Sequence, residues 1–344
     1  VVTTPGGSVL SVAPPSAFGF LGGQGDITVT GAQLGFVGLD TKLSFSAANL
    51  SIARSTITAG SFDFAAVGTS NRNLSVADPS AVRFGNGRIA LTDSDLTALP
   101  GLQQNGGIRA MAARFDVIGS IFSSDSTDRT AAGLKLFVGD LRVTASPNAG
   151  APNSYLGSFA SGAGDAGAVA IRAGTILLSD TSSLSTQALA TATGNAGNIG
   201  IDVGALTVES GATILSSAFG DSTTGEVRID ATTMMIRSGG SIESTTFGSG
   251  RGGDVLLRAA TLSIDGGRIA SEAEVGSKGD AGLVNIGVSG ALTLTNGGTQ
   301  RYEFTSPGGL TAPSLAMSAS RAISSSASAR DSSVSAARNA VEAS

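Results

Sequence analysis

Glycine precedes an alternating apolar pair five times in the second half of the chain, at Gly167, Gly197, Gly225, Gly253 and Gly282, with spacings of 30, 28, 28 and 29 residues. The pairs are Val169 and Ile171, Ile199 and Ile201, Val227 and Ile229, Val255 and Leu257, and Val284 and Ile286. A spacing of two is the strand period, because successive side chains of an extended chain point to opposite faces. A second pair follows seven residues later, or eight in the last unit: Ile176 and Leu178, Leu206 and Val208, Met234 and Ile236, Leu262 and Ile264, Leu292 and Leu294. A third apolar position comes at Leu184, Ile214, Ile242 and Ile269. Each unit is therefore expected to hold three short strands and a longer loop.

The same rhythm is less regular upstream, through Leu43 and Phe45, Leu50 and Ile52, and Ile57, then at Ile89 and Leu96, Ile108 and Phe115, and Leu134 and Leu141. Helical solenoids are excluded by the spacing of two, leucine-rich repeats by the missing Leu/Asn consensus, and propeller blades by the short period. The pattern predicts an all-β parallel β-helix, in which each unit makes one coil and neighbouring coils cover one another's apolar ladder. At about 29 residues per coil, residues 25–298 form about ten coils and an axis of about 50 Å. The glycines and the pairs Gly239-Gly240 and Gly266-Gly267 are assigned to tight corners. Residues 1–24 are a lead-in or cap. Residues 299–344 are a Ser/Ala-rich tail, whose stretch 314–344 has 11 Ser and 9 Ala among 31 residues and no strand alternation. It is expected to be a disordered tail, or a weak helix over 329–343 that caps the last coil.

Composition narrows the chemistry. The 344 residues include 49 Gly and are 41% hydrophobic and 14% charged, which suits a chain with a core. Histidine, cysteine and tryptophan are absent, which removes imidazole and thiolate nucleophiles, the usual zinc sites and disulfides. No cofactor is implied. The formal charge of −5, without a basic cluster, argues against a nucleic-acid partner. No uninterrupted apolar run is long enough for a membrane-spanning helix. The chain starts at Val1 without a basic, apolar leader and is expected to be a processed product or a fragment.

The stretch Ser16-Ala17-Phe18-Gly19-Phe20-Leu21-Gly22, followed by Gly25-Asp26-Ile27-Thr28-Val29, resembles the filamentous haemagglutinin-like exoproteins of bacterial two-partner secretion. So do Leu43-Ser44-Phe45-Ser46-Ala47-Ala48-Asn49-Leu50-Ser51-Ile52 and Phe62-Asp63-Phe64-Ala65-Ala66-Val67-Gly68. Gly194-Asn195-Ala196-Gly197-Asn198-Ile199 and Gly164-Asp165-Ala166-Gly167 are similar to the rungs of that family, and the resemblance covers residues 16–300. It implies a right-handed β-helix, export through an outer-membrane transporter partner, and a place outside the cell, secreted or on the bacterial surface. It also implies an adhesin or haemagglutinin role toward host-cell, bacterial or matrix receptors, glycans among them. The Asn-Pro motif of the family's secretion domain does not occur, so the chain is expected to correspond to the region after that domain.

The leading functional expectation is a non-enzymatic adhesive rod; a polysaccharide-active enzyme on the same scaffold and a self-assembling filament are the alternatives. Asp93 and Asp95 have the spacing of an acid/base pair on one face, but their surroundings also read as a polar turn. Asp165, Asp221 and Asp280 sit in Gly-rich turns that could hold calcium or serve as solvated corners. Phe219 and Phe247 lie 28 residues apart and are expected to stack on adjacent coils. Arg251-Gly252-Gly253-Asp254 is not an Arg-Gly-Asp tripeptide. Recognition is assigned to the irregular stretches 125–133 and 146–164. In the latter, Pro147, Asn148, Pro152, Asn153 and Tyr155 form the candidate contact set.

Overall fold

The computed structural model describes residues 17–20, 25–35, 41–69, 72–75, 85–100, 106–148, 150–275 and 277–296. The expected tail at 299–344, and the helix at 329–343 within it, lie outside them. The chain opens with β1 (Ala17–Phe20), followed by a first rung of β2 (Ile27–Thr30) and β3 (Gln33–Gly35). A second rung holds β4 (Lys42–Ala47), β5 (Leu50–Ala53) and β6 (Thr56–Ala59). The third holds β7 (Ser61–Ala66), then β8 (Arg72–Ser75) in an insertion, then β9 (Arg88–Thr92) and β10 (Asp95–Ala98). Each of the next six rungs is one long strand and one short: β11 (Gly107–Ile118) with β12 (Ile121–Ser124), β13 (Gly133–Thr144) with β14 (Tyr155–Ala160), and β15 (Val169–Leu178) with β16 (Ser183–Ala188). They continue as β17 (Ile199–Val208) with β18 (Thr213–Ala218), β19 (Val227–Arg237) with β20 (Ser241–Thr246), and β21 (Val255–Asp265) with β22 (Arg268–Ala273). The tenth rung is β23 (Val284–Val288) with β24 (Leu292–Thr295).

The rungs stack as two parallel sheets, so the fold is a parallel β-helix. Ten rungs at about 4.8 Å give an axis of about 45 Å. The one antiparallel pairing among the described strands joins β1 to β8. The sequence columns are the structural registers. Val169, Ile199, Val227, Val255 and Val284 are successive partners, as are Ile176, Leu206, Met234, Leu262 and Leu292, and Leu184, Ile214, Ile242 and Ile269.

The expected three short strands per unit are replaced by two in the regular rungs, because the first two run on as a single long strand that bends. Val169 and Ile171 point inward, then Ile176 and Leu178, so the inward parity changes between them. The ladder skips Gly139, Gly174 and Gly204 at this place, and Gly174 and Thr175 both face outward. The strand thus turns a corner with the ladder interrupted at one position and resumed in the same register. Three faces enclose one core that runs from Leu50 to Leu292. In the early rungs it is filled by phenylalanines: Phe64 stacks on Phe45 at 5.5 Å and on Phe122 at 5.9 Å, and Phe115 meets Phe122 edge-on.

The glycine column has a different cause from the tight bend expected. Gly167, Gly197, Gly225, Gly253 and Gly282 do not have positive φ. A Cβ on Gly225 would lie 2.0 Å from the carbonyl oxygen of Gly197, and one on Gly253 would lie 2.1 Å from that of Gly225. Close approach of stacked backbones excludes any side chain here. Conformation does decide Gly239 and Gly266, whose φ values are +79° and +65°.

Two buried hydroxyl ladders complete the interior. Inward-facing Ser158, Ser216, Ser244 and Ser271 accept hydrogen bonds from the amides of Gly167, Gly225, Gly253 and Gly282 at 2.8 to 3.0 Å. At another corner the amide of Ser55 donates to Ser94 Oγ, that of Ser94 to Ser120 Oγ, and that of Ser120 to Ser154 Oγ. Corner amides turned away from the strand ladders are thereby satisfied without water.

Candidate recognition face and loop

The outer face of the short-strand sheet gathers most of the residues singled out from sequence. Alternation along β14 sends Leu156, Ser158 and Ala160 inward and Tyr155, Gly157 and Phe159 outward. Asp95, Ile121, Tyr155 and Ser183 are successive register partners, as are Thr97, Ser123, Gly157 and Ser185. The Tyr155 and Phe159 rings stack at 4.4 Å over Gly157, where a Cβ would come within 2.7 Å of the phenol oxygen. Tyr155 Oη donates to the carbonyls of Ser185 and Ser158 at 3.2 and 3.4 Å. Burial pushes the phenol pKa up. Tyr155 therefore belongs to a strand and not, as expected, to the loop before it: its ring covers the sheet and its hydroxyl is committed to backbone.

The loop itself is pinned at its base. Ser154 Oγ donates to the Thr144 carbonyl at 2.5 Å, Asn148 Nδ2 donates to Asp93 Oδ2 at 2.6 Å, and the Asn148 amide donates to Ser146 Oγ at 3.1 Å. Pro147, Asn148, Pro152 and Asn153 are exposed between these anchors. The other stretch, 125–133, has exposed residues from Thr127 to Thr130 and returns to the core at Ala131.

Asp93 and Asp95 do not share a face. Asp93 occupies a corner with φ +49°, whereas Asp95 begins β10 on the outer sheet face. The partner the fold gives Asp95 is Asp125. Thr97 Oγ1 donates to Asp95 Oδ1 at 3.0 Å, Ser123 Oγ donates to Asp125 Oδ2 at 3.2 Å, and the two hydroxyls lie 3.4 Å apart. Burial pushes the Asp125 carboxyl up to about 6, and the hydrogen bonds from Ser123 and from the Phe159 amide offset only part of that. A carboxyl that holds its proton to about pH 6 thus lies one rung over and four residues along from Asp95, linked to it through Ser123 and Thr97, with the Phe159 amide donating to it. The sequence concealed this by placing Asp125 at the start of an apparent loop, one residue after β12 ends.

Acids in the Gly-rich turns serve as acceptors between rungs. Asp165 Oδ1 accepts from the amide and Nδ2 of Asn195, whose Oδ1 accepts from the amide and hydroxyl of Thr223. Asp221 accepts from Ser249 Oγ. Asp280 is exposed, and its carbonyl accepts from the Gly252 amide. Among the described residues no three His, Cys, Asp or Glu side chains come together as metal ligands. Arg251 pairs with Asp254 at 3.3 Å. Phe219 and Phe247 stack as expected, with centroids 4.4 Å apart and planes within 3°. Each ring covers one face of the other, and Phe247 remains 43% exposed.

Comparison of the chain with protein-family models, with curated proteins and with solved structures gives no match in any of the three.

Proposed function

We propose that the protein is a non-enzymatic adhesive rod, displayed on a bacterial surface or secreted, that binds host cells, other bacteria or matrix. The observation that carries this reading is the loop between β13 and β14. It holds exposed Pro147, Asn148, Pro152 and Asn153 on fixed anchors at Asp93 and Thr144, midway along a solenoid with a sealed interior. A loop positioned by a rigid scaffold binds without first being ordered, which is how scaffold-borne recognition loops keep affinity. The family resemblance supports the same role, and with it export through an outer-membrane transporter.

The test is replacement of 147–153 by a short Gly-Ser link that leaves Ser154 and Tyr155 in place. The variant should keep a β-rich circular dichroism spectrum and lose adhesion to cells and to a glycan array. Full adhesion by the folded variant would remove the loop from the proposal, and no adhesion by the parent chain would remove the adhesive role. One observation favours an enzymatic second reading: Asp125, protonated to about pH 6, stands near Asp95 as acid and base would. Release of reducing or unsaturated sugars from a polysaccharide panel, abolished by Asp125→Asn and by Asp95→Asn, would establish it.

A further inference from the structure

On the outer surface of the first half of the long strands, register builds a column with no acid below Asp63. Arg109, Lys135, Ala170, Gly200, Arg228, Leu256 and Asn285 succeed one another from rung to rung. The neighbouring column balances its charges: Arg172 pairs with Asp202 at 3.3 Å, and Asp230 with Arg228 at 3.0 Å and Arg258 at 3.9 Å. At the head of the first column the balance fails. Asp63 is the register partner of Arg109, yet its carboxylate is taken by Lys42 at 2.6 Å. Arg109 and Lys135 are then direct register partners of like charge, an arrangement that costs stability unless an anion joins them. Neither has an ion-pair partner among the described residues, and Arg109 Nε is buried with no hydrogen-bond partner there. That Nε is closed to solvent, so an anion from solution would have to meet the guanidinium through its terminal nitrogens.

We propose that Arg109 and Lys135 form an anion site for the carboxylate of an acidic saccharide chain. A planar carboxylate accepts two parallel bonds from the guanidinium fork, and the Lys135 ammonium, on the exposed side, adds a point charge. Of the register partners in the next column, Met111 is buried, whereas Phe137 is only partly so and offers carbon surface to the sugar ring that bears the acid. Ala170 and Gly200 carry little or no side chain, so the column below stays low and the chain has room to continue along the axis; a Cβ on Gly200 would meet nothing within 4 Å. The net charge of −5 makes the surroundings unfavourable to a densely charged polyphosphate and restricts the attraction to this local stripe. This site stands independently of the adhesive loop, which is anchored at a corner on another part of the rung.

Isothermal titration calorimetry on the full chain tests it with a trimeric uronate oligosaccharide, its neutral carboxyl-reduced counterpart and inorganic phosphate. The uronate should bind and weaken as salt is raised, and the neutral sugar should not bind. Arg109→Gln and Lys135→Gln should each weaken uronate binding about tenfold or more. Arg109→Lys should recover only part of the loss because it lacks the fork, and Arg258→Gln should change nothing. Should Arg109→Gln disturb the circular dichroism spectrum, the exposed Lys135→Gln carries the test. Absence of uronate binding, binding indifferent to both substitutions, or equal affinity for free phosphate would overturn the proposal.

Discussion

Removing a single hydroxyl from the interior ladder should expose how the corners are held. Ser216 is fully buried; its Oγ accepts the Gly225 amide at 2.8 Å and lies 3.2 Å from Thr186 Oγ1 and 3.4 Å from the Gly197 carbonyl. Gly225 is itself buried, packed so close to Gly197 that no side chain fits and no water can replace the lost acceptor. Ser216→Ala therefore strands one amide, at a cost of about 1 to 3 kcal/mol. Ser216→Thr keeps the acceptor, and the column already accommodates Thr186 at the equivalent register position, so it should cost less than about 1 kcal/mol. In a solenoid each rung leans only on its neighbours, so the loss is local, and hydrogen exchange of the Gly225 amide reads it more directly than a global midpoint. A cost of about 2 kcal/mol corresponds to roughly thirtyfold faster exchange in the alanine variant. Unchanged protection in Ser216→Ala, or an equal loss in Ser216→Thr, would refute the ladder as the support of this amide.

Two further substitutions probe register and charge. Met234 points into the core and its neighbour Met235 is 38% exposed, so Met234→Asp should cost several kcal/mol and Met235→Asp only about 0.5 kcal/mol; equal thermal midpoints would mean the inward parity is misassigned. Asp125 has a folded pKa of about 6, above its ordinary value, so the stability it contributes while protonated is fully present below the ordinary carboxylate range and is lost as pH rises through 6. Asp125→Asn should match the parent near pH 4 and exceed it by up to about 3 kcal/mol at pH 8, and urea midpoints with a pH-independent difference would contradict the burial argument.

The apolar columns were legible because every rung repeats them against a fixed glycine, and stacking in register needs nothing else: Val169 finds Ile199, and Ile176 finds Leu206. The merging of two predicted strands was half legible. The gap of five between Ile171 and Ile176 already breaks strand parity, but only pairing between rungs shows that the chain bends there, skips one ladder position and keeps its register. The hydroxyls were hidden by the rule that found the columns. Ser216 and Ser244 sit two residues after Ile214 and Ile242, so alternation places them inward, while polarity suggests solvent. Tyr155 misled in the opposite direction: its neighbours Pro152 and Asn153 are loop residues, and its ring fills the space left by Gly157 on a face that sequence polarity makes look bare. The deciding partner in each case lies elsewhere in the rung or on the next one, the Gly225 amide for Ser216 and the Ser185 carbonyl for Tyr155. An acid such as Asp125 follows the same logic. Its environment is set by Thr97 and Asp95 on the preceding rung and by Phe159 on the following one, a vertical neighbourhood that horizontal motifs along the chain do not encode.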